Sequence, residues 1–147
     1  MITRKSVGAI LFREKEGTKE YFLLRRKILD RYWGFAKGTP EKEETEIQTA
    51  LRESKEESGL KKIQLIEGFR EEVHYYFEED NQEYDKLVVF FLAKVFDKGD
   101  GKVSHEHEEL KWLEYEKALS QITYEKDKNL LRKAEETVSK IKKSHNP

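Results

Sequence analysis

Residues 38 to 60 read GTPEKEETEIQTALRESKEESGL, and the way this stretch divides into loop, helix and cap decides the fold. Thr45 and Gln48 stand at capping-box spacing, so each side chain can reach the other's free backbone N–H at a helix start. Ile47, Ala50, Leu51 and position 54 fall on one helical face, and Gly59, with no Cβ, suits a left-handed C-terminal cap. The spacing predicts a helix over 46–58, entered from a polar loop that contains Pro40.

On that helix Glu53, Glu56 and Glu57 share a face at i, i+3 and i+4, with Glu46 and Thr49 near the same sector. The sector borders the Ile47, Ala50, Leu51 stripe, so the acids are expected beside the packed edge and not on the most solvated side. Like charges held this close repel by roughly a few tenths of a kcal/mol per exposed pair, and by more when desolvated. A hard dication removes that penalty: Mg²⁺ favours carboxylate oxygen and water and is often completed by substrate phosphate. With 24 Glu in the chain, a solvated glutamate-rich face is the competing reading of these three alone.

Outward from the helix, Lys5 to Phe12 reads as a buried strand, and after a polar turn around Gly17 a second follows at Tyr21 to Leu24, a candidate hairpin ending in Arg25, Arg26 and Lys27. Tyr32 to Gly38 reads as a short strand running into a loop. Beyond the helix, Ile63 to Phe77 is strand interrupted by Gly68, Glu78 to Asp85 a charged turn, and Lys86 to Phe96 a central strand. Glu109 to Tyr115 adds a short strand and Glu116 to Gln121 a short helix. Leu130, Ala134, Val138 and Ile141 keep the apolar stripe of a last helix, with Ser144 to Pro147 expected to fray. The sum is α+β, a mixed sheet with helices packed on it.

Composition limits what such a chain can do. Its 147 residues suit a single domain over 1–147. A net charge of −1 gives no global basic field for nucleic acid or an anionic membrane, so any anion must be caught locally. The absence of cysteine excludes disulfides, thiolate nucleophiles and cysteine metal centres, which leaves carboxylates and four His as metal ligands. No apolar run approaches the roughly 18 residues of a membrane span, and the first residues lack the pattern of a signal peptide, so the expected location is cytoplasmic.

The acids belong to a longer pattern: Gly38, five residues, Glu44, seven residues, Arg52-Glu53, position 54, one residue, Glu56-Glu57, one residue, Gly59-Leu60. From this chain's own residue frequencies, the seven fixed positions would coincide by chance with an expectation on the order of 10⁻⁵. The pattern resembles the box of the Nudix hydrolases, with Ser54 in a slot that is usually apolar. That resemblance implies an α/β/α sandwich in which a loop, a helix and a second loop hold Mg²⁺ or Mn²⁺. It further implies that Glu53, Glu56 and Glu57 are metal ligands or the proton acceptor, that Gly38 supplies a carbonyl ligand, and that Arg52 and Glu44 orient the acids.

Across nearly the whole chain the resemblance is to the asymmetrical diadenosine tetraphosphate hydrolases within that family. Trp33-Gly34-Phe35-Ala36-Lys37-Gly38 is similar to their Trp-x-x-Pro-Lys-Gly entrance, with Ala36 in the place of Pro, which implies phosphate contact by Lys37. Ser54 stands where they tolerate Thr. Ile66-Glu67-Gly68-Phe69 followed by His74-Tyr75 resembles a stretch that sets a Tyr, here Tyr75, against adenine. Ser104-His105-Glu106-His107 before Trp112-Leu113 resembles a loop whose Glu, here Glu106, completes the metal or base site. Lys86 and Tyr124 match as a polyphosphate contact and a second aromatic wall.

Each assignment has a plainer alternative. Tyr75, Tyr76 and Phe77 also suit a sheet core, and Trp33 suits either core or entrance. His105 and His107 read more simply as hydrogen-bonded loop residues, and Arg25, Arg26 and Lys27 as edge charges of which one faces phosphate. The leading expectation is metal-dependent hydrolysis of diadenosine tetraphosphate to ATP and AMP by a monomer, with a dinucleoside polyphosphate as partner and no membrane or long nucleic acid. The alternatives are an RNA 5′-pyrophosphohydrolase or other nucleoside polyphosphate hydrolase, and a catalytically silent nucleotide-binding module.

Overall fold

The computed structural model describes residues 1–27 and 31–145, with side chains through Ile141. In chain order the elements are β1 (Ile2–Lys15), β2 (Thr18–Arg26), β3 (Trp33–Gly34), β4 (Ala36–Gly38), α1 (Glu46–Ser58), β5 (Ile63–Leu65), β6 (Glu71–Glu79), β7 (Gln82–Val95), β8 (His107–Leu113), α2 (Tyr115–Gln121) and α3 (Glu125–His145). Of the tail expected to fray, Ser144 and His145 stand at the end of α3, and Asn146 and Pro147 lie outside the described residues.

The strands form one mixed sheet in the order β3-β2-β1-β7-β5, with β4 also on β1, β6 on β7 and β8 on β2. Its centre is the parallel pair β1 and β7, in register from Ile2↔Tyr84 to Phe12↔Lys94. A strand covered on both faces reads as a continuous apolar run, which is why this pair was visible in sequence. Ile10 and Phe12 with Val88, Phe90 and Leu92 face one core, shared with Ala118 of α2 and Leu130, Leu131, Ala134 and Val138 of α3. The intervening Val7, Ala9 and Leu11, with Val89, Phe91 and Ala93, face a second core that includes Ala50 of α1. Helices on both faces make the expected α/β/α sandwich.

Two hairpins flank the central pair. Glu16 and Gly17 turn β1 into β2 with φ of 52° and 80°, and Asp80 and Asn81 turn β6 into β7 with φ of 52° and 63°. Paired positive φ values match the twist of two-residue hairpin loops. The second hairpin corrects the expected turn at Glu78 to Asp85: only Asp80 and Asn81 turn, and the rest pair as strand, with Glu79 opposite Gln82. The segment expected to be one short strand before the catalytic loop is two, β3 and β4, on different neighbours. The strand expected at Glu109 to Tyr115 begins earlier, at His107, and yields Tyr115 to α2.

Helix α1 has the predicted bounds and both predicted caps. The Gln48 N–H donates to Thr45 Oγ1 at 3.1 Å and the Thr45 N–H to Gln48 Oε1 at 2.9 Å. Gly59, at φ 70°, donates its N–H to the Lys55 carbonyl. The buried stripe is rotated from expectation: Thr49, Ala50, Ser54, Glu57 and Ser58 are inside, whereas Ile47 is 46% exposed. Rotation of the stripe carries Glu57 towards the sheet. Among the described residues, no helix is long and apolar enough to cross a membrane.

Candidate active site

Strand β4 and helix α1 are held together by the site itself. The Lys37 backbone N–H donates to Glu57 Oε1 at 2.9 Å, and a Cβ built on Gly38 would stand 2.0 Å from the Glu53 carboxyl carbon. Glycine is therefore required at 38 for Glu53 to lie across the strand end. Arg52 fixes the neighbouring acids: its Nε and Nη2 grip both oxygens of Glu44 at 2.7 and 2.9 Å, while Nη1 reaches Glu53 at 2.8 Å and Glu56 at 3.3 Å. Its Nη2 also donates to the Thr39 carbonyl at 3.0 Å. The Arg52 guanidinium, then the Glu41 N–H and the Thr49 hydroxyl, hold the Glu44 carboxyl down at about 2. Glu44 is thus an anchor for Arg52.

The three box acids meet different surroundings. Glu57 is only 4% exposed, and burial, offset in part by the Lys37 N–H, pushes its carboxyl up to about 7. Burial also raises Glu53, against the pull of Arg52. The Glu56 side chain is 58% exposed. Glu46, expected near this sector, belongs elsewhere: it pairs with Lys5 at 2.8 Å and Arg70 at 2.9 Å. One cavity of about 580 Å³ nevertheless gathers Gly38, Glu53, Glu56, Glu57 and Glu106, with Arg52 and Arg26.

Among the described residues no three carboxylate or imidazole groups already stand together as a metal cage. The reason is visible in their hydrogen bonds: Glu53 and Glu56 turn to Arg52, and Glu57 turns to Lys37. The donor set still suits a hard divalent ion in kind. It is all oxygen, and burial raises both Glu53 and Glu57, so a cation beside them would favour their charged forms.

His107 is buried and contacts Ser104 Oγ through Nδ1 at 3.1 Å, and burial followed by nearby Arg26 pushes its imidazole down to about 4. It staples the loop that presents Glu106, in keeping with the plainer reading, and His105 lines the acid cavity. Of the basic trio, Arg26 lines that cavity, while Arg25 approaches Glu108 at 3.7 Å and Lys27 the His105 carbonyl at 3.5 Å.

A second cavity of about 460 Å³ adjoins the first and is walled by Tyr32, Tyr75, Tyr76, Phe77 and Tyr124. The Tyr32 and Tyr124 rings lie 5.0 Å apart, and Lys37 Nζ stands 5.2 Å from the Tyr32 ring and 5.3 Å from that of Tyr75. The Tyr75 hydroxyl donates to buried Asp127, whose carboxyl is raised by burial. Lys37 and Lys86 line both cavities. Burial first, then neighbouring cations, lowers each ammonium to about 8.

All the residues expected at the site therefore line one cavity or the other: Lys37, Tyr75, Lys86 and Tyr124 the aromatic one, and Gly38, Arg52, Glu53, Glu56, Glu57 and Glu106 the acidic one. Trp33 is instead core on the α2 and α3 side. Sequence reasoning gave no role to Tyr32 or Asp127. Tyr32 stood at the head of the segment read as a short strand running into a loop, whereas Asp127 carried no local signal.

Residues 2–134 match the family described as "NUDIX domain". The asymmetrical bis(5′-nucleosyl)-tetraphosphatase of Caenorhabditis elegans is 34% identical over 129 residues, 88% of this chain and 92% of that one. The crystal structure of a C. elegans Ap4A hydrolase binary complex superposes with a TM-score of 0.81 at 30% identity, covering 92% of this chain and 98% of that chain. An RNA pyrophosphohydrolase of a Nitratiruptor species is 31% identical over 118 residues, 76% of this chain and 75% of that one. With the box, the sandwich and the matched span in agreement, this chain belongs to the Nudix family and is a hydrolase of that family.

Proposed function

We propose that the chain hydrolyses diadenosine tetraphosphate, adding water across a phosphoanhydride to release ATP and AMP, with Mg²⁺ or Mn²⁺ bound. The observation that carries this reading is the sharing of Lys37 and Lys86 between an aromatic cavity and an acidic one. A flat base suits the tyrosine walls, where base–aromatic contacts are worth roughly 1 to 3 kcal/mol. A polyphosphate leaving that cavity must pass both ammonium groups before it meets the acids.

In this reading Glu53, Glu56, Glu57, Glu106 and the Gly38 carbonyl hold the dication, and Arg52, anchored by Glu44, fixes Glu53 and Glu56. Such an ion, when bound, neutralises phosphate oxygens and makes water more acidic. Lys37 and Lys86 orient the phosphates, and Tyr75 and Tyr124 hold the base. Burial pushes Glu57 up to about 7, and a dication beside it would favour the charged form that can bind the ion or accept a proton from water. A formal charge of −1 offers no extended track for RNA, and the intact acid set argues against a silent module. A free-nucleotide substrate is consistent with work in the cytoplasm.

The test is hydrolysis of diadenosine tetraphosphate with Mg²⁺ or Mn²⁺ in ¹⁸O-labelled water. Equimolar ATP and AMP with label in one of them is expected, and no turnover without added dication. ADP as the only product, or cleavage of 5′-triphosphorylated RNA but not of the dinucleotide, would overturn the reading.

A further inference from the structure

Strand register builds a second functional row beside the site. Side chains alternate across a sheet, so residues facing one another in adjacent strands share a face. Arg4 of β1 pairs with Lys86 of β7, and Lys86 with Tyr75 of β6. One step outward, Ile2 pairs with Tyr84 and Tyr84 with Phe77. The Phe77 and Tyr84 rings stack at 5.0 Å and 8°, and the Arg4 guanidinium carbon stands 5.4 Å from the Tyr84 centroid. Arg4, Phe77, Glu79, Asp80, Tyr84 and Lys86 line a third cavity of about 620 Å³. Ser6, Thr39 and Lys86 line both it and the acidic cavity, so the two are continuous.

The charge arrangement says what such a cavity can hold. Among the described residues neither Arg4 nor Lys86 makes an ion pair, whereas Lys5 beside them is tied to Glu46 at 2.8 Å. Arg26, Lys37, Lys86 and Arg4 repel one another along a path from the acidic cavity to the third one. An anion spread along the path relieves that repulsion, as a polyphosphate does. At the far rim Glu79 and Asp80 repel phosphate but can accept hydrogen bonds from ribose hydroxyls or a base amino group. Two stacked rings with a guanidinium over one offer an aromatic surface beside them. Cations on the floor with an aromatic wall and a carboxylate rim suit a nucleoside at the end of a phosphate chain better than a free phosphate.

We infer that this third cavity binds the second nucleoside of a dinucleoside polyphosphate, with Arg4 on the adjoining phosphate and the Phe77–Tyr84 pair beside the base. The inference rests on the dinucleotide reading above. It makes Tyr84 a determinant of preference for substrates with two nucleosides over those with one, and Arg4 a contact to a phosphate that both kinds carry.

The test compares diadenosine tetraphosphate with adenosine 5′-tetraphosphate, which lacks the second nucleoside. In Tyr84→Ala, the ratio of kcat/KM for the dinucleotide to that for the mononucleotide is expected to fall by about tenfold, within the range of one lost base–aromatic contact, whereas Arg4→Gln removes a contact to a phosphate that both nucleotides carry and is expected to weaken both. Calorimetric affinities for the two nucleotides in EDTA should show the same change in ratio without turnover. Melting curves separate misfolding from lost recognition, and a folded Tyr84→Leu, which keeps apolar bulk without an aromatic face, keeps the test open if Tyr84→Ala does not fold. A ratio unchanged in both assays for the folded Tyr84 variant overturns the inference, whether the two substrates suffer equally or not at all. A wild type that binds both nucleotides but cleaves neither condemns the proposed activity, and the affinity ratio in EDTA then judges the cavity alone.

Discussion

Glu57 accepts the Lys37 backbone N–H at 2.9 Å, so the helix that carries the acids is tied to β4 by one of those acids. An amide oxygen can accept the same N–H. Glu57→Gln is therefore expected to keep the β4–α1 contact and to lower kcat by about 10² to 10⁴, the range of a lost general base. Melting temperature should be unchanged or raised, because a neutral amide avoids the desolvation that pushes this carboxyl up to about 7. An unaltered rate with saturating Mg²⁺ would sink the catalytic assignment.

Arg52→Lys tests orientation in place of charge. Arg52 binds Glu44 through two nitrogens and spans Glu53 and the Thr39 carbonyl with the rest of the fork. A lysine keeps the charge but cannot reproduce that planar bidentate geometry. We expect kcat to fall by about 10- to 100-fold, typical of a lost group that orients metal ligands, with little change in KM. A rise in KM at unchanged kcat would instead place Arg52 on the substrate.

Local signals were legible in the sequence and distant ones were not. The caps of α1 were readable because Thr45, Gln48 and Gly59 act on backbone within a turn of themselves. The hairpin at Asp80 and Asn81 was hidden by its exposed strands: Glu78, Glu79, Gln82 and Glu83 meet water, so no apolar alternation marked their pairing. The face of α1 was misjudged at Ile47 because Glu57 is buried, and no periodicity argument places a carboxylate inside. Lys37 and Lys86 followed from a resemblance, whereas Glu53, Glu56 and Glu57 were already marked by their spacing on one helical face. Asp127 approaches Tyr75 from 52 residues away, a proximity that only the tertiary fold creates.

Ser54, the one departure from the box, has a cost. Its hydroxyl is fully buried and finds no hydrogen-bond partner among the described residues. An unmet buried hydroxyl costs about 1 to 3 kcal/mol, and removing it leaves a cavity no larger than one oxygen atom. Ser54→Ala is expected to raise stability by about 1 kcal/mol in urea unfolding. Activity should persist, since the site acids keep their contacts. Destabilisation would show that the hydroxyl does find a partner in solution.

Tyr75 separates into ring and hydroxyl. Its ring faces Lys37 Nζ at 5.3 Å in the aromatic cavity, and its hydroxyl donates to Asp127. Tyr75→Ala removes the ring and is expected to raise KM by about tenfold or more, as for a lost base contact, with a smaller effect on kcat. Tyr75→Phe keeps the ring but deprives Asp127 of its donor, so it should lower the melting temperature with a smaller rise in KM. A loss of stability in Tyr75→Ala with KM unchanged would make this residue core.

Lys86 predicts how binding responds to pH. Burial, then Lys37, Arg26 and Arg4, lowers its ammonium to about 8. A bound polyphosphate favours the charged form, so the pKa is higher in the complex than in the free protein. The sign follows: below pH about 8 both states carry the proton and affinity is level, whereas above it the free protein has lost a proton that the complex must regain. KM for the dinucleotide should therefore rise with pH above about 8, where the inner phosphates no longer change their own charge. Lys37, also lowered to about 8, should contribute in parallel. Lys86→Gln is expected to bind more weakly at neutral pH and to bend less steeply with pH, because one of the two protons is gone. A variant with the wild-type pH profile would remove Lys86 from the phosphate path.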